Sequence, residues 1–170
     1  MTSNTSTGQG KTQETIYGES LELSKDTTSI IPFMEDEIVR LEEESTAFVA
    51  GERENTEFTP FRLKQGVYGQ RQADVQMIRV KVPGGVITPE QMDVLGEFSS
   101  KYAPLGKGHI TTRENFQFHH VPLDQCPDGL RLLGSVGLST REACGNVVRN
   151  VVGSPTSGVC ASEVFDPTPI

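Results

Sequence analysis

The chain has 170 residues, 35% hydrophobic content, no tryptophan and a formal net charge of −8. That length allows one domain with a real core, and the acidity argues against nucleic acid, which calls for a basic footprint. No apolar run approaches the roughly 20 residues that cross a bilayer, so no membrane partner is expected.

Charge is unevenly placed. Residues 1–57 carry 13 acids and 4 bases, whereas residues 58–170 carry 10 and 11. The later arginines therefore stand in a balanced background and have to be judged by position. Cys126, Cys144 and Cys160 form no Cys-x-x-Cys pair and no zinc spacing. An odd count without a signal-peptide core predicts reduced thiols and a cytoplasmic location.

Met1 to about Ser29 is rich in Ser, Thr, Gly and Gln and offers almost nothing to bury, which predicts disorder. Lys11 follows Gly10, but no phosphate-loop pattern surrounds it. Glu35–Ala50 predicts a helix, with Ile38, Leu41, Phe48 and Val49 as its apolar stripe. Glu42–Glu43–Glu44 reads as a solvated face or, alternatively, an acidic docking patch. Gly51–Glu57 reads as a linker. Phe58–Gln72 sets Arg62, Lys64 and Arg71 among Phe58, Phe61 and Tyr68, either as a structural arm or as a loop presenting cations to a ligand.

Val75–Val82 is rich in β-branched residues and predicts a strand, with Ile78, Val80 and Val82 on one face and Met77, Arg79 and Lys81 on the other. Pro83-Gly84-Gly85 ends it. Thr88, Pro89 and Gln91 form the capping-box start of a helix whose stripe is Met92, Leu95, Phe98 and Tyr102. His109–Val121 predicts one strand with an apolar face and a polar one, the latter holding Arg113, Asn115, Gln117 and His119. A second short helix follows, with Asp124 as cap, Leu130, Leu133 and Val136 as stripe, and Gly137 at its left-handed end. Ser139–Glu142 predicts a capping box and a third helix. Gly145–Val152 predicts a third strand, with Val147, Arg149 and Val151 on one side.

This order predicts an α+β fold: a half-size ferredoxin-like unit, strand–helix–strand–helix, with helices on one sheet face. Arg79, Lys81, Arg113 and Arg149 then share the other face. The planar fork of arginine suits oxyanions, and the core supplies few acids to pair with three strand arginines, so an anionic ligand is favoured over internal ion pairs. His119 and His120 are adjacent and point apart, which suits hydrogen bonding better than chelation. No Ser–His–Asp, Cys–His or paired-carboxylate arrangement can be built.

FRLKQGVYGQRQ, MIRVKVPGGVITPEQ, HITTRENFQFHHV and TREACGNVVRNVVGSP, in that order, resemble the N-terminal part of siroheme-dependent nitrite and sulfite reductases. The resemblance runs from Phe58 to Ile170. It implies an oxidoreductase that reduces sulfite to sulfide, or nitrite to ammonia, by six electrons. It also implies siroheme beside a four-iron–four-sulfur cluster, and ferredoxin or a reductase as electron donor. The resemblance assigns Arg79 and Arg149, with Lys81, to the substrate anion, and Arg113, with Gln117 and His119, to siroheme. The four cluster cysteines of the family have no counterpart here, so further C-terminal domains are implied and the chain alone is expected to be inactive. The implied organisation is an acidic extension over 1–57, a ferredoxin-like half-domain over 58–138 and the start of the siroheme domain over 139–170. The alternatives are a non-catalytic module binding a tetrapyrrole or other polyanion, a purely structural subunit, or part of a precorrin-3B synthase-like enzyme.

Overall fold

A computed structural model describes residues 34–165. The expected disorder of Met1 to Ser29 lies outside them. Among the described residues four α-helices and four strands follow one another: α1 (Glu35–Val49), α2 (Asn55–Lys64), β1 (Val67–Gly69), β2 (Val75–Val80), α3 (Pro89–Tyr102), β3 (Gly108–Ile110), β4 (Phe116–Pro122) and α4 (Cys126–Gly134). The strands form one antiparallel sheet in the order β1-β2-β4-β3. Helix α3 crosses from β2 to β3, and β4 inserts between them. This is a ferredoxin-like half-domain, as the pattern of elements predicted.

One face of the sheet is the core face. Ile78 and Val80 of β2 and Phe118 and Val121 of β4 meet Leu95 and Phe98 of α3 and Leu130 and Leu133 of α4. Phe98 and Phe118 lie with ring centroids 4.4 Å apart. Thr88 caps α3 as expected. Its hydroxyl accepts the Gln91 N–H, and the Gln91 side chain accepts the Thr88 N–H in return. Ile38 and Leu41 bury the predicted face of α1. Val49 and Met92, both expected in apolar stripes, are instead 70% and 48% exposed. Asp124 does not cap α4, whose N-cap is Gln125.

Larger corrections concern three stretches. Gly51–Glu57 is not only a linker, because α2 begins at Asn55 and runs through Pro60. Its apolar pattern is weak. The helix is held instead by Phe58, fully buried and stacked on Phe48 at 4.5 Å. Past α2, Gly66 turns left-handed under the backbone of Thr140, where any Cβ would overlap it.

His109–Val121 is not one strand but a hairpin. The Thr111 hydroxyl accepts the N–H groups of Arg113 and Asn115, and Glu114 takes a left-handed φ of 63°. These bonds close a turn where the alternation suggested continuous strand.

The helix expected from Ser139–Glu142 and the strand expected over Gly145–Val152 are absent among the described residues. The Ser139 hydroxyl accepts the Arg141 N–H, while the Thr140 hydroxyl donates to Gln65 O, so neither caps a helix. Over Gly145–Val152 the four valines stay exposed. Just past β2, Lys81 forms an isolated bridge with Ser139 instead.

Candidate functional site

The outer face of the sheet is built by register. Residues directly opposite in antiparallel strands project to the same side. Arg79 of β2 pairs with Gln117 of β4, which pairs with His109 of β3. These three form one polar row across three strands. Tyr68 of β1 pairs with Met77 in the next row. There the ladder slips: His119 and His120 oppose the single residue Met77, and His120 takes a φ of 62°. This β-bulge keeps both Phe118 and Val121 in the core and leaves His119 on the outer face. Strict period two would have put His120 beside Phe118.

Arg79 lies flat on this face. Its guanidinium donates from Nη1 to Ala143 O at 3.2 Å. With the Gln117 amide oriented to satisfy its neighbours, the amide oxygen accepts from Arg79 Nε at 2.9 Å and from Nη2. Arg149 donates from Nε to Gly145 O at 3.2 Å. The two arginines thus grip carbonyls on either side of Cys144. Burial pushes the Cys144 thiol pKa up, and the charges of Arg79 and Arg149 partly offset this.

The sequence-predicted residues are therefore brought together only in part. Arg79, Gln117 and His119 share the outer face. Lys81 follows two residues beyond Arg79 on the same strand line, its N–H bonded to Ser139 O. Arg149 joins them from an irregular segment rather than from a strand. Arg113 is exposed on the hairpin turn, not in register with Arg79. The expectation of three strand arginines is thus corrected to one strand arginine, one loop arginine and one turn arginine.

Among the described residues, Arg79, Arg113 and Arg149 form no ion pair. The salt bridges involve Arg53, Arg131 and Arg141 instead. His119 is half-buried, and its Nδ1 lies 3.4 Å from Gln70 Nε2. Burial holds its pKa below the ordinary imidazole value, helped by the nearby charges of His120, His109 and Arg79. A neutral imidazole that can accept or donate follows at pH 7. No group of three or more His, Cys, Asp or Glu placed to hold a metal occurs among the described residues.

Two contributors escaped the sequence reading. Gln70 accepts the His120 N–H at 2.6 Å and so anchors the bulge. Asn150 donates to two backbone carbonyls, Val82 O and Arg113 O. Nothing in a local pattern marks either residue, since both act on partners tens of residues away.

The fold and this face define an α+β ferredoxin-like half-domain with an arginine-bearing outer sheet. Residues 68–136 match the family described as the nitrite/sulfite reductase ferredoxin-like half domain. Over this part the chain is similar to nitrite and sulfite reductases. It is 39% identical over 92 residues to a sulfite reductase [ferredoxin] of Mycobacterium tuberculosis, covering 54% of this chain and 16% of that one. It is 34% identical over 154 residues to the chloroplastic ferredoxin–nitrite reductase of Spinacia oleracea, covering 89% and 26%. Among solved structures, that of the Mycobacterium tuberculosis NirA protein superposes with a TM-score of 0.63 at 28% identity, covering 77% of this chain and 28% of that one. The chain thus spans little more than a quarter of each of these proteins, or less.

Proposed function

We propose that this chain is the N-terminal part of an oxidoreductase that reduces sulfite to sulfide, or nitrite to ammonia, by six electrons, and that it does not catalyse alone. In this reading residues 58–138 are the half-domain, 139–170 begin a siroheme-binding domain, and 1–57 form an extension. Ferredoxin or a reductase supplies electrons, and further C-terminal domains complete the site. A cytoplasmic setting fits its three free cysteines.

The observation that carries the reading is the placing of Arg79 and Arg149 on either side of Cys144 with no carboxylate paired to them among the described residues. A guanidinium so placed keeps its full charge for an outside anion. Arg149 commits only its Nε–H, so both Nη groups remain available among the described residues. Arg79, Arg149 and Lys81 would bind the substrate oxyanion, orient it and offset charge as it develops on the oxygens. Arg113, exposed on its turn, would meet carboxylates at the rim of siroheme, with Gln117 and the neutral His119 as hydrogen-bonding contacts. Siroheme, when bound, supplies the redox-active iron at which the anion is reduced. The residues here suit a polycarboxylate tetrapyrrole. They do not suit the iron–sulfur cluster, because Cys126 and Cys144 are buried singly, Cys160 stands exposed, and no group of three or more His, Cys, Asp or Glu placed to hold a metal occurs among the described residues.

The test is a visible-absorption titration of the 170-residue chain with siroheme. A saturable spectral shift that weakens in Arg113→Ala supports the reading. A shift that is equal in Arg113→Ala, Arg79→Ala and Arg149→Ala removes the arginine face from it.

A further inference from the structure

Three segments that carry cations meet at one amide. Asn150 donates from Nδ2 to Val82 O and to Arg113 O, both at 2.9 Å. Val82 closes the stretch that bears Arg79 and Lys81, Arg113 stands on the β3–β4 turn, and Asn150 itself follows Arg149. The donor group thus touches all three without carrying charge or facing a ligand.

A second set of contacts reinforces the junction. Gly84 N–H donates to Val151 O at 2.9 Å. The Glu114 carboxylate accepts the Gly153 N–H at 3.2 Å. The same carboxylate lies against Gly85, where a Cβ would come within 3.0 Å of it. Glu114 reaches this place because its own backbone is left-handed.

The residue type is specific to the task. Only a short side chain with two N–H donors on one nitrogen can serve two carbonyls at this reach. Aspartate, nearly the same shape, would set carboxylate oxygens against two carbonyl oxygens. Among the described residues the Asn150 Oδ1 is buried without a hydrogen-bond partner, so the contacts that hold the amide there are those of its donors.

We propose that Asn150, seconded by Glu114, is a positioning residue that holds the strand, turn and loop cations in one fixed arrangement. The clamp is a property of the chain itself. Its consequence for affinity rests on the reading of the outer face as an anion site.

Amide hydrogen exchange on the 170-residue chain tests the clamp without any ligand. Asn150→Ala should speed exchange at Gly84, Glu114 and Gly153 together by about tenfold or more, while α3 and β4 keep their protection. Asn150→Asp should do the same. Unchanged exchange at Gly84 and Glu114 in both variants overturns the proposal, because those sites are linked to residue 150 only through this junction. Loss of protection throughout α3 and β4 also overturns it, since Asn150 would then be a general stability residue.

Siroheme titration of the same variants separates the two readings. With the clamp acting on an anion site, Asn150→Ala weakens binding about tenfold, the scale of one lost hydrogen bond. In that background the effects of Arg113→Ala and Arg149→Ala become multiplicative, having been coupled before. If both arginine variants bind siroheme as the parent does while the exchange signature is present, the anion-site reading fails and the clamp stands. If they weaken binding and Asn150→Ala changes neither affinity nor exchange, the clamp alone fails.

Discussion

Around α1, each arginine that approaches the helix from elsewhere meets a carboxylate. Arg131 reaches Glu35 and Glu42 as well as its own neighbour Asp128, Arg53 reaches Glu44 and Glu57, and Arg141 reaches Glu37. On the outer sheet face, Arg79 and Arg149 meet only carbonyl and amide oxygens. Both regions are rich in charge, yet the first neutralises itself and the second does not. The run Glu42–Glu43–Glu44, which could have been an acidic docking patch, spends two of its three carboxylates on internal ion pairs. The sheet face keeps positive charge that nothing in the described chain cancels, and its arginines are held in place by neutral acceptors that do not quench them. Unbalanced charge held by neutral acceptors, rather than charge itself, is what separates the two regions.

The comparison breaks first if the shared core is disturbed. Phe118→Ala removes the ring packed on Phe98 and should cost about 3–5 kcal/mol, read as a lower midpoint in urea. Both regions then fail together. Leu41→Ala should cost about 2–5 kcal/mol and loosen α1. Siroheme binding by the outer face should survive it under conditions where the chain stays folded, and loss of binding in the folded variant would show that the two regions are not separable.

Arg79→Gln sharpens the contrast. It removes a charge with no carboxylate partner, so unfolding should shift little while siroheme affinity drops by about tenfold or more. Arg131→Gln does the reverse. Stability should fall by no more than the ~1 kcal/mol usual for exposed ion pairs, the loss should shrink at high salt, and siroheme affinity should not change.

The smallest effect is that of pH on His119. Its folded pKa lies below the ordinary value because of burial and neighbouring positive charge. Between the two values the unfolded chain binds the extra proton and the folded chain does not. The contribution is therefore fully present above about pH 6.5 and is lost as pH falls through the folded pKa. Thermal midpoints of the parent and His119→Gln should run parallel above about pH 7. Below about pH 6.5 the parent should fall more steeply.

Much of the fold was legible along the chain. The capping box at Thr88, the β-branched run of β2, the left-handed Gly137 after α4 and the thin stripe of α1 are local signals, and each led to the element it predicted. The failures share one cause. A period-two pattern continues through a hairpin turn as readily as through a strand, so HITTRENFQFHHV read as one piece. Helix α2 has almost no amphipathic pattern and exists because Phe58 finds Phe48. Gly145–Val152 alternates like a strand, yet no strand in the sheet pairs with it.

The candidate site divides in the same way. Residue type and local spacing marked Arg79, Lys81, Arg113 and Arg149 as candidates for an anionic ligand, because cationic groups on alternating positions are chemically distinctive wherever they fold, and the resemblance added Gln117 and His119. Their arrangement came only from tertiary structure. The bulge at His119–His120 depends on Gln70, fifty residues away, and the grouping of Arg79 with Arg149 depends on the carbonyls of Ala143 and Gly145. Backbone acceptors are the same at every residue and leave no mark in a sequence. Chemical identity is thus written locally, while the distance between two charges is set by whichever carbonyls the fold brings beneath them.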